Sequence, residues 1–220
     1  MTRVPDARKT RGAGRAAYLR RRRDATRTMI LVAARHVFAR ANYLQAKIED
    51  IIRQAGVSRA TFYDHFGSKL DLAFAIYDEI APQNAALFAR LPGLVDSGDP
   101  AAMRSWLDDF VGMYVEHRYV TPLIAQLQLF ESGFRSRILE DTEALMDALA
   151  AGGVSGFAPA TRAGDPVPRA RTHGRLLLNR VAAVCGDIAR GEQPAEANTS
   201  LDIIGTELLA YLRADRAAVH

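Results

Sequence analysis

The sequence predicts an all-α protein. Apolar residues recur at 3.6-residue spacing along most of its length. No stretch alternates with the period of two that a half-buried strand requires. Capping residues and Gly or Pro breakers fall between the periodic segments. The expected architecture is an N-terminal three-helix unit containing a helix-turn-helix, followed by a second helical unit.

The first periodic segment is 26–41, where Ile30, Ala33, Ala34, Val37, Phe38 and Ala41 share one face. Asn42 sits where that helix would end, and Asn tolerates the left-handed conformation used there. Residues 1–26 carry nine Arg or Lys, among them Arg3 and the arginines at 20–23, with two glycines, a proline and few large apolar groups. Such a stretch buries too little surface to offset its ordering entropy, which predicts a flexible basic arm, with 16–23 able to continue the first helix upstream. A second helix is expected over 48–55, ended by Gly56. Ser58 would cap a third over 59–65. Ser68 would cap a fourth that runs through Leu72, Ile76 and Tyr77 until Pro82 kinks or ends it. A loop rich in Pro, Gly and Asp spans 92–100. Helices follow at 101–118, 122–130 and 134–151. A long loop at 152–168 precedes two closing helices at 169–190 and 195–214. The domains read as 1–26 arm, 27–80 helix-turn-helix unit and 81–220 ligand-binding and dimerisation unit.

Charge is unevenly placed. Residues 1–80 hold sixteen basic and eight acidic side chains, whereas the remainder is net acidic. A basic front half joined to an acidic remainder fits a module that meets a polyanion and a module that does not. Most of the excess lies in the arm: residues 1–26 hold nine basic and two acidic groups. The single cysteine, Cys185, excludes an intrachain disulfide and a multi-Cys zinc site. No uncharged run reaches the length of a spanning helix, and no apolar segment of signal-peptide length follows the basic N-terminus. The chain is therefore expected in the cytoplasm, off the membrane.

The segment that carries function runs over 48–66. Ala55 is small enough for two helices to approach, Gly56 supplies the turn, Val57 fills the gap and Ser58 caps the next helix. The turns after Ser58 would expose Arg59, Ala60, Thr61 and Tyr63 while Phe62 and Phe66 face inward. A recognition helix in a major groove presents such a small and basic N-terminal surface.

From Gly56 onward the sequence Gly-Val-Ser-Arg-Ala-Thr-Phe-Tyr-Asp-His-Phe-Gly-Ser-Lys resembles the signature of TetR-family transcriptional regulators, a likeness that covers about residues 27–72. The resemblance implies a homodimeric, ligand-responsive protein that binds a palindromic operator in double-stranded DNA, most often as a repressor. Carried over by position, Ser58 opens the recognition helix. Arg59, Ala60 and Thr61 would approach base edges, and Tyr63, His65 and Lys69 would hold phosphates. The chain departs from the pattern at Ala46-Lys47, where the family usually has a Thr or Ser cap. Lys47 supplies a point charge there but opposes the helix dipole. Asn42 replaces a usual Gly, a benign exchange.

Beyond residue 80 nothing is diagnostic. The last two helices carry apolar faces (Leu176, Leu177, Val181; Leu201, Ile204, Leu208) that fit a dimer interface or a monomeric core equally well. By resemblance they would join the chain to a second copy. Among the middle helices Trp106, Phe110, Met113, Tyr114, His117 and Phe130 supply aromatic and soft apolar surface, and Asn179 a polar group, for a small apolar effector. No cofactor or metal is called for. The sequence holds no Gly-rich phosphate loop, no Gly-x-Ser-x-Gly and no His-Glu-x-x-His, so an enzyme is not expected. The alternative is a helix-turn-helix protein that acts through a protein partner instead of an effector.

Overall fold

The computed structural model describes residues 7–160 and 165–217. The first six residues of the arm, residues 161–164 of the long loop and the last three residues lie outside it. The order is α1 (Ala7–Gln45), α2 (Ile48–Ala55), α3 (Arg59–Tyr63), α4 (Lys69–Asp78), α5 (Ala81–Phe88), α6 (Leu91–Ser97), α7 (Pro100–Glu116), α8 (Val120–Phe130), α9 (Ser132–Ala151), a 3₁₀ turn (Ser155–Phe157), α10 (Arg169–Ala189) and α11 (Ala197–Ala217). No strand occurs among the described residues. The chain divides into two compact units, Met1–Ile76 and Tyr77–His220, so the boundary falls inside α4.

Unit one is built on α1, which packs against α2. Ile30, Leu31, Ala34, Phe38, Ile51, Phe62, Phe66, Leu72 and Ile76 form its buried side. Two features of α1 differ from the sequence reading. The stretch expected as a flexible arm is helical from Ala7. Ala and Arg are among the better helix formers, and a helix already nucleated at 26–41 extends upstream one bond per residue without a new nucleus. At the other end Asn42 takes φ 53° and ψ 170°, interrupting α1 three residues before its last one. The Asn42 side chain accepts a hydrogen bond from the Gln45 amide (3.1 Å), so its polar group restarts the helix that its backbone breaks.

Unit two has a continuous core of Phe88, Leu91, Met103, Trp106, Leu107, Phe110, Met146, Leu149, Phe157, Leu177, Val181, Ile204 and Leu208. Trp106 is fully buried, donates its indole N–H to the Leu87 carbonyl (2.7 Å) and packs against Phe88 and Phe110. The expected loop at 92–100 contains α6 instead. Pro92 occupies its first turn, where proline's missing N–H is no loss, and Gly98 closes it in a left-handed conformation (φ 58°). Pro82 likewise falls in the first turn of α5 after α4 has ended. The long loop is pinned by Phe157, fully buried beneath Tyr211. It is also pinned by Arg171, a buried guanidinium that donates to the Phe157 carbonyl and pairs with Glu143 (2.6 Å) and Asp147 (2.8 Å). At Gly174 a side chain would overlap the Tyr211 hydroxyl and the Phe157 ring, so α10 and α11 approach as they do only because that position is bare. No described helix is long and apolar enough to cross a membrane.

Candidate nucleic-acid interface and ligand cavity

The helix-turn-helix is assembled from α2, the turn at Gly56 and α3. Gly56 adopts φ 66°, ψ 29°, and its amide reaches back to the carbonyls of α2. Ser58 is extended and its hydroxyl accepts the Thr61 amide hydrogen bond (3.0 Å), capping α3 as its residue type predicts. Lys47, at the N-cap of α2, makes no side-chain cap. Backbone amides of Asp50 and Ile51 bond to its carbonyl instead (3.1 and 3.4 Å).

Of the eight residues that the sequence assigns to DNA, Lys47, Ser58, Arg59, Ala60 and Tyr63 are exposed or nearly so, while Thr61, His65 and Lys69 are half-buried. Phe62 is buried behind them. Tyr63 stands out from the surface, 42% exposed, its ring edge-on to Phe62. Three details change the picture drawn from sequence. The Thr61 hydroxyl shares a hydrogen bond with that of Ser58 (2.9 Å). Arg59 reaches back to Glu49 on α2 (2.7 Å) and lies 5.5 Å from the Tyr63 ring centre. Lys69 does not point into solvent to await a phosphate. Its ammonium donates to the carbonyls of Tyr43 (2.7 Å) and Ala46 (3.1 Å), where the chain leaves α1 for α2.

Two arginines of α1 that the motif does not include lie beside the recognition helix. Arg23 donates to the Asp64 carbonyl at the C-terminal end of α3 (3.2 Å), and the Arg27 guanidinium sits 5.0 Å from the Phe66 ring centre. The signal in the sequence was present, as part of the basic run, but its position relative to α3 depends on contacts about forty residues apart. The helical run from Arg15 to Arg23 thus starts from the same unit that carries α3.

Unit two contains a cavity of about 1090 Å³ among α5, α7, α8, α9 and α10, with Tyr77 at its edge. Phe88, Phe110, Met113, Ile124, Ile138, Leu145 and Leu178 give it mostly apolar walls. Of the residues assigned to an effector, Phe110, Met113, Tyr114, His117 and Asn179 line it. Trp106 and Phe130 do not. Trp106 lies one ring behind Phe110 in the core, and Phe130, 58% exposed, ends α8 outside the cavity. The wall also holds groups that the sequence did not single out. Arg137 pairs with Asp141 (2.9 Å) and Asp78 (3.0 Å), Arg175 with Glu143 (3.1 Å), and Arg190 with Glu192 (2.7 Å) and Asp187. Burial, reinforced by Asp141, pushes the Tyr77 phenol well above its ordinary pKa. Burial alone dominates at Tyr114, raised to about 12, so both phenols stay protonated near neutrality. No cluster of three or more metal-ligating side chains occurs among the described residues.

The apolar faces of α10 and α11 turn out to serve the core of unit two: Leu177, Val181, Leu201, Ile204 and Leu208 are all buried. Leu176 and Ile203 stay exposed, with the Arg180–Glu207 pair (2.7 Å) linking the two helices.

Comparison with known proteins accords with this anatomy. Residues 30–76 match the family model described as bacterial regulatory proteins, tetR family. The HTH-type transcriptional activator FasR of Mycolicibacterium smegmatis is 43% identical over 54 residues, a match that covers 24% of this chain and 25% of that protein. The chain thus matches about a quarter of that relative's length. Over the whole chain the likeness is one of fold. A transcriptional regulator from Aquifex aeolicus superposes with a TM-score of 0.56 at 18% identity, covering 89% of this chain and 99% of that one. The regulator FadR of Bacillus subtilis, solved in complex with stearoyl-CoA, superposes with a TM-score of 0.51 at 20% identity, covering 80% and 96%. Residues 30–76, with their Ser-capped α3, are thus similar to the N-terminal segment of tetR-family bacterial regulatory proteins, and the chain shares the all-helical fold of solved regulators.

Proposed function

We propose that the protein is a sequence-specific DNA-binding regulator whose operator affinity responds to a small, largely apolar effector held in the cavity of unit two. The observation that carries the DNA reading is the outer face of α3. A capped N-terminus presents Arg59, Ala60 and Tyr63 to solvent, with Ser58 and Lys47 beside them and the aromatic Phe62 locking the helix from behind. Tyr63 and His65 serve phosphates; Arg59 and the small Ala60 face base edges. The effector reading rests on a cavity whose size and apolar walls suit a drug-sized or lipid-like molecule. FadR holds stearoyl-CoA in a related fold, which supports a lipid-like ligand here.

Function requires two copies, since two recognition helices must reach successive major grooves roughly 34–36 Å apart. The exposed residues Leu176 and Ile203 on α10 and α11 are the surface we assign to that pairing. Repression, with release by the effector, is the sign we assign. FasR is an activator by name, so a reporter gene behind the operator decides the matter: expression rises on deleting this chain if it represses and falls if it activates.

Selection from random DNA tests the central claim. A palindromic site with half-sites one helical turn apart is expected. Tyr63→Ala should weaken binding to all sequences alike, whereas Arg59→Ala should relax preference at particular bases by about 1–3 kcal/mol. Recovery of no preferred sequence, or binding only when a protein partner is added, would replace this reading with a partner-dependent one.

A further inference from the structure

The cavity wall carries charge in an unusual state: every guanidinium on it is already matched by carboxylates. Arg137, Arg175 and Arg190 together contact five of them, two of which also line the cavity. Asp141 and Asp187 stand on the wall and the other three behind it, so none of the three arginines is held in reserve. An anionic head entering this space would have to displace a carboxylate from its partner and would meet the remaining ones at close range. A cationic head would have to draw a carboxylate away from an arginine, leaving that guanidinium unsatisfied.

Uncharged polar groups are in the opposite state. Tyr114 and Asn179 line the same cavity, and neither side chain makes a hydrogen bond to another described residue. Tyr114 is held in place by its packing: its ring meets Phe110 at 5.6 Å and lies beside Gly186 of α10. Its hydroxyl stays protonated near neutrality and can both donate and accept. Tyr114 is half-buried, and a phenol facing the cavity with no protein partner offers an occupant a position to bond.

We infer that the cavity selects an uncharged, elongated, mainly apolar molecule that carries a hydroxyl or carbonyl, with that group bonded to Tyr114. The inference rests on the effector reading above and narrows it to a ligand class. It separates this chain from a site built for an acyl carboxylate or a phosphorylated carrier.

The test uses the full chain with Nile red, an uncharged dye that fluoresces in apolar sites, and three competitors of one chain length: 1-decanol, decanoate and decylammonium. Decanol should displace the dye at concentrations at least tenfold below those the two ions need. Tyr114→Phe, which removes only the hydroxyl, should weaken decanol by roughly 3- to 10-fold and leave the ions unchanged. Equal or better displacement by decanoate or decylammonium overturns the inference while leaving the effector reading in place. A Tyr114→Phe protein that keeps the full preference for decanol overturns the role of that residue. A dye that does not bind at all removes the effector reading and the inference with it.

Discussion

The ammonium of Lys69 is bound by the carbonyl oxygen of Tyr43, 2.7 Å away, and lies 4.3 Å from the centre of the same residue's ring. A second carbonyl, that of Ala46, completes the clamp. Lys69 is thus a strut that fixes the segment between α1 and α2, and with it the start of the helix-turn-helix. Lys69→Met should lower the stability of unit one by about 1.5–3 kcal/mol, the range for hydrogen bonds to a charged group. Denaturant unfolding followed by circular dichroism measures it. If Lys69 acts on DNA alone, stability will hold and only the salt dependence of operator binding will fall.

Glu49 occupies Arg59. The carboxylate lies on the face we assign to DNA, and its pKa sits below the ordinary value because a backbone hydrogen bond and then the Arg59 hydrogen bond favour the charged form. It therefore remains ionised at neutral pH and would repel phosphate. Glu49→Gln should free Arg59 and raise operator affinity severalfold at low salt, the gain shrinking as salt is added. The effect of the pair is lost only as pH falls through the depressed pKa of Glu49. Fluorescence anisotropy with labelled operator at two salt concentrations would show the gain, and an affinity that drops in the variant would count against the repulsion.

Arg20, Arg21 and Arg22 are exposed on α1, while Arg23 beside them is tied to the Asp64 carbonyl next to the recognition helix. If the exposed three reach phosphates, replacing them by Gln should lessen the slope of log affinity against log salt by about 0.9 for each phosphate no longer neutralised. A slope and affinity equal to the parent's would make the run a solvated charge with no part in binding.

Cys185 is fully buried in the core of unit two, and burial, with a smaller contribution from Asp108, pushes its thiol up to about 12. It should resist a thiol reagent at pH 8 and react only as the unit opens. A raised folded pKa also means that its contribution to stability is intact below the thiol's ordinary value and is lost as pH climbs toward about 12. Rapid labelling of the native protein would contradict both points.

What the sequence could tell was local. Gly56 and Ser58 act within a few residues of themselves, so the turn and the capped recognition helix are legible from their order alone. The partners of Lys69 lie 26 and 23 residues away, and no spacing rule points to them. Composition misjudged the arm because arginines deplete hydrophobicity without opposing a helix. It misjudged α6 because Pro and Gly were read as loop residues when they stand at its two ends. In the middle helices periodicity found the apolar faces but could not separate a face toward the core from a face toward a void. Phe110 and Tyr114 line the cavity, whereas Trp106, on the same helix, lies wholly in the packing behind it.

That displacement gives Trp106 a different use. It is the chain's single tryptophan, held rigidly by its bond to Leu87 and touching, through Phe110, the wall of the cavity without entering it. Excitation at the red edge of its absorption separates its emission from that of the chain's seven tyrosines. A change in its wavelength on filling the cavity would report strain passed through one aromatic ring, which makes the native protein its own optical gauge of occupancy.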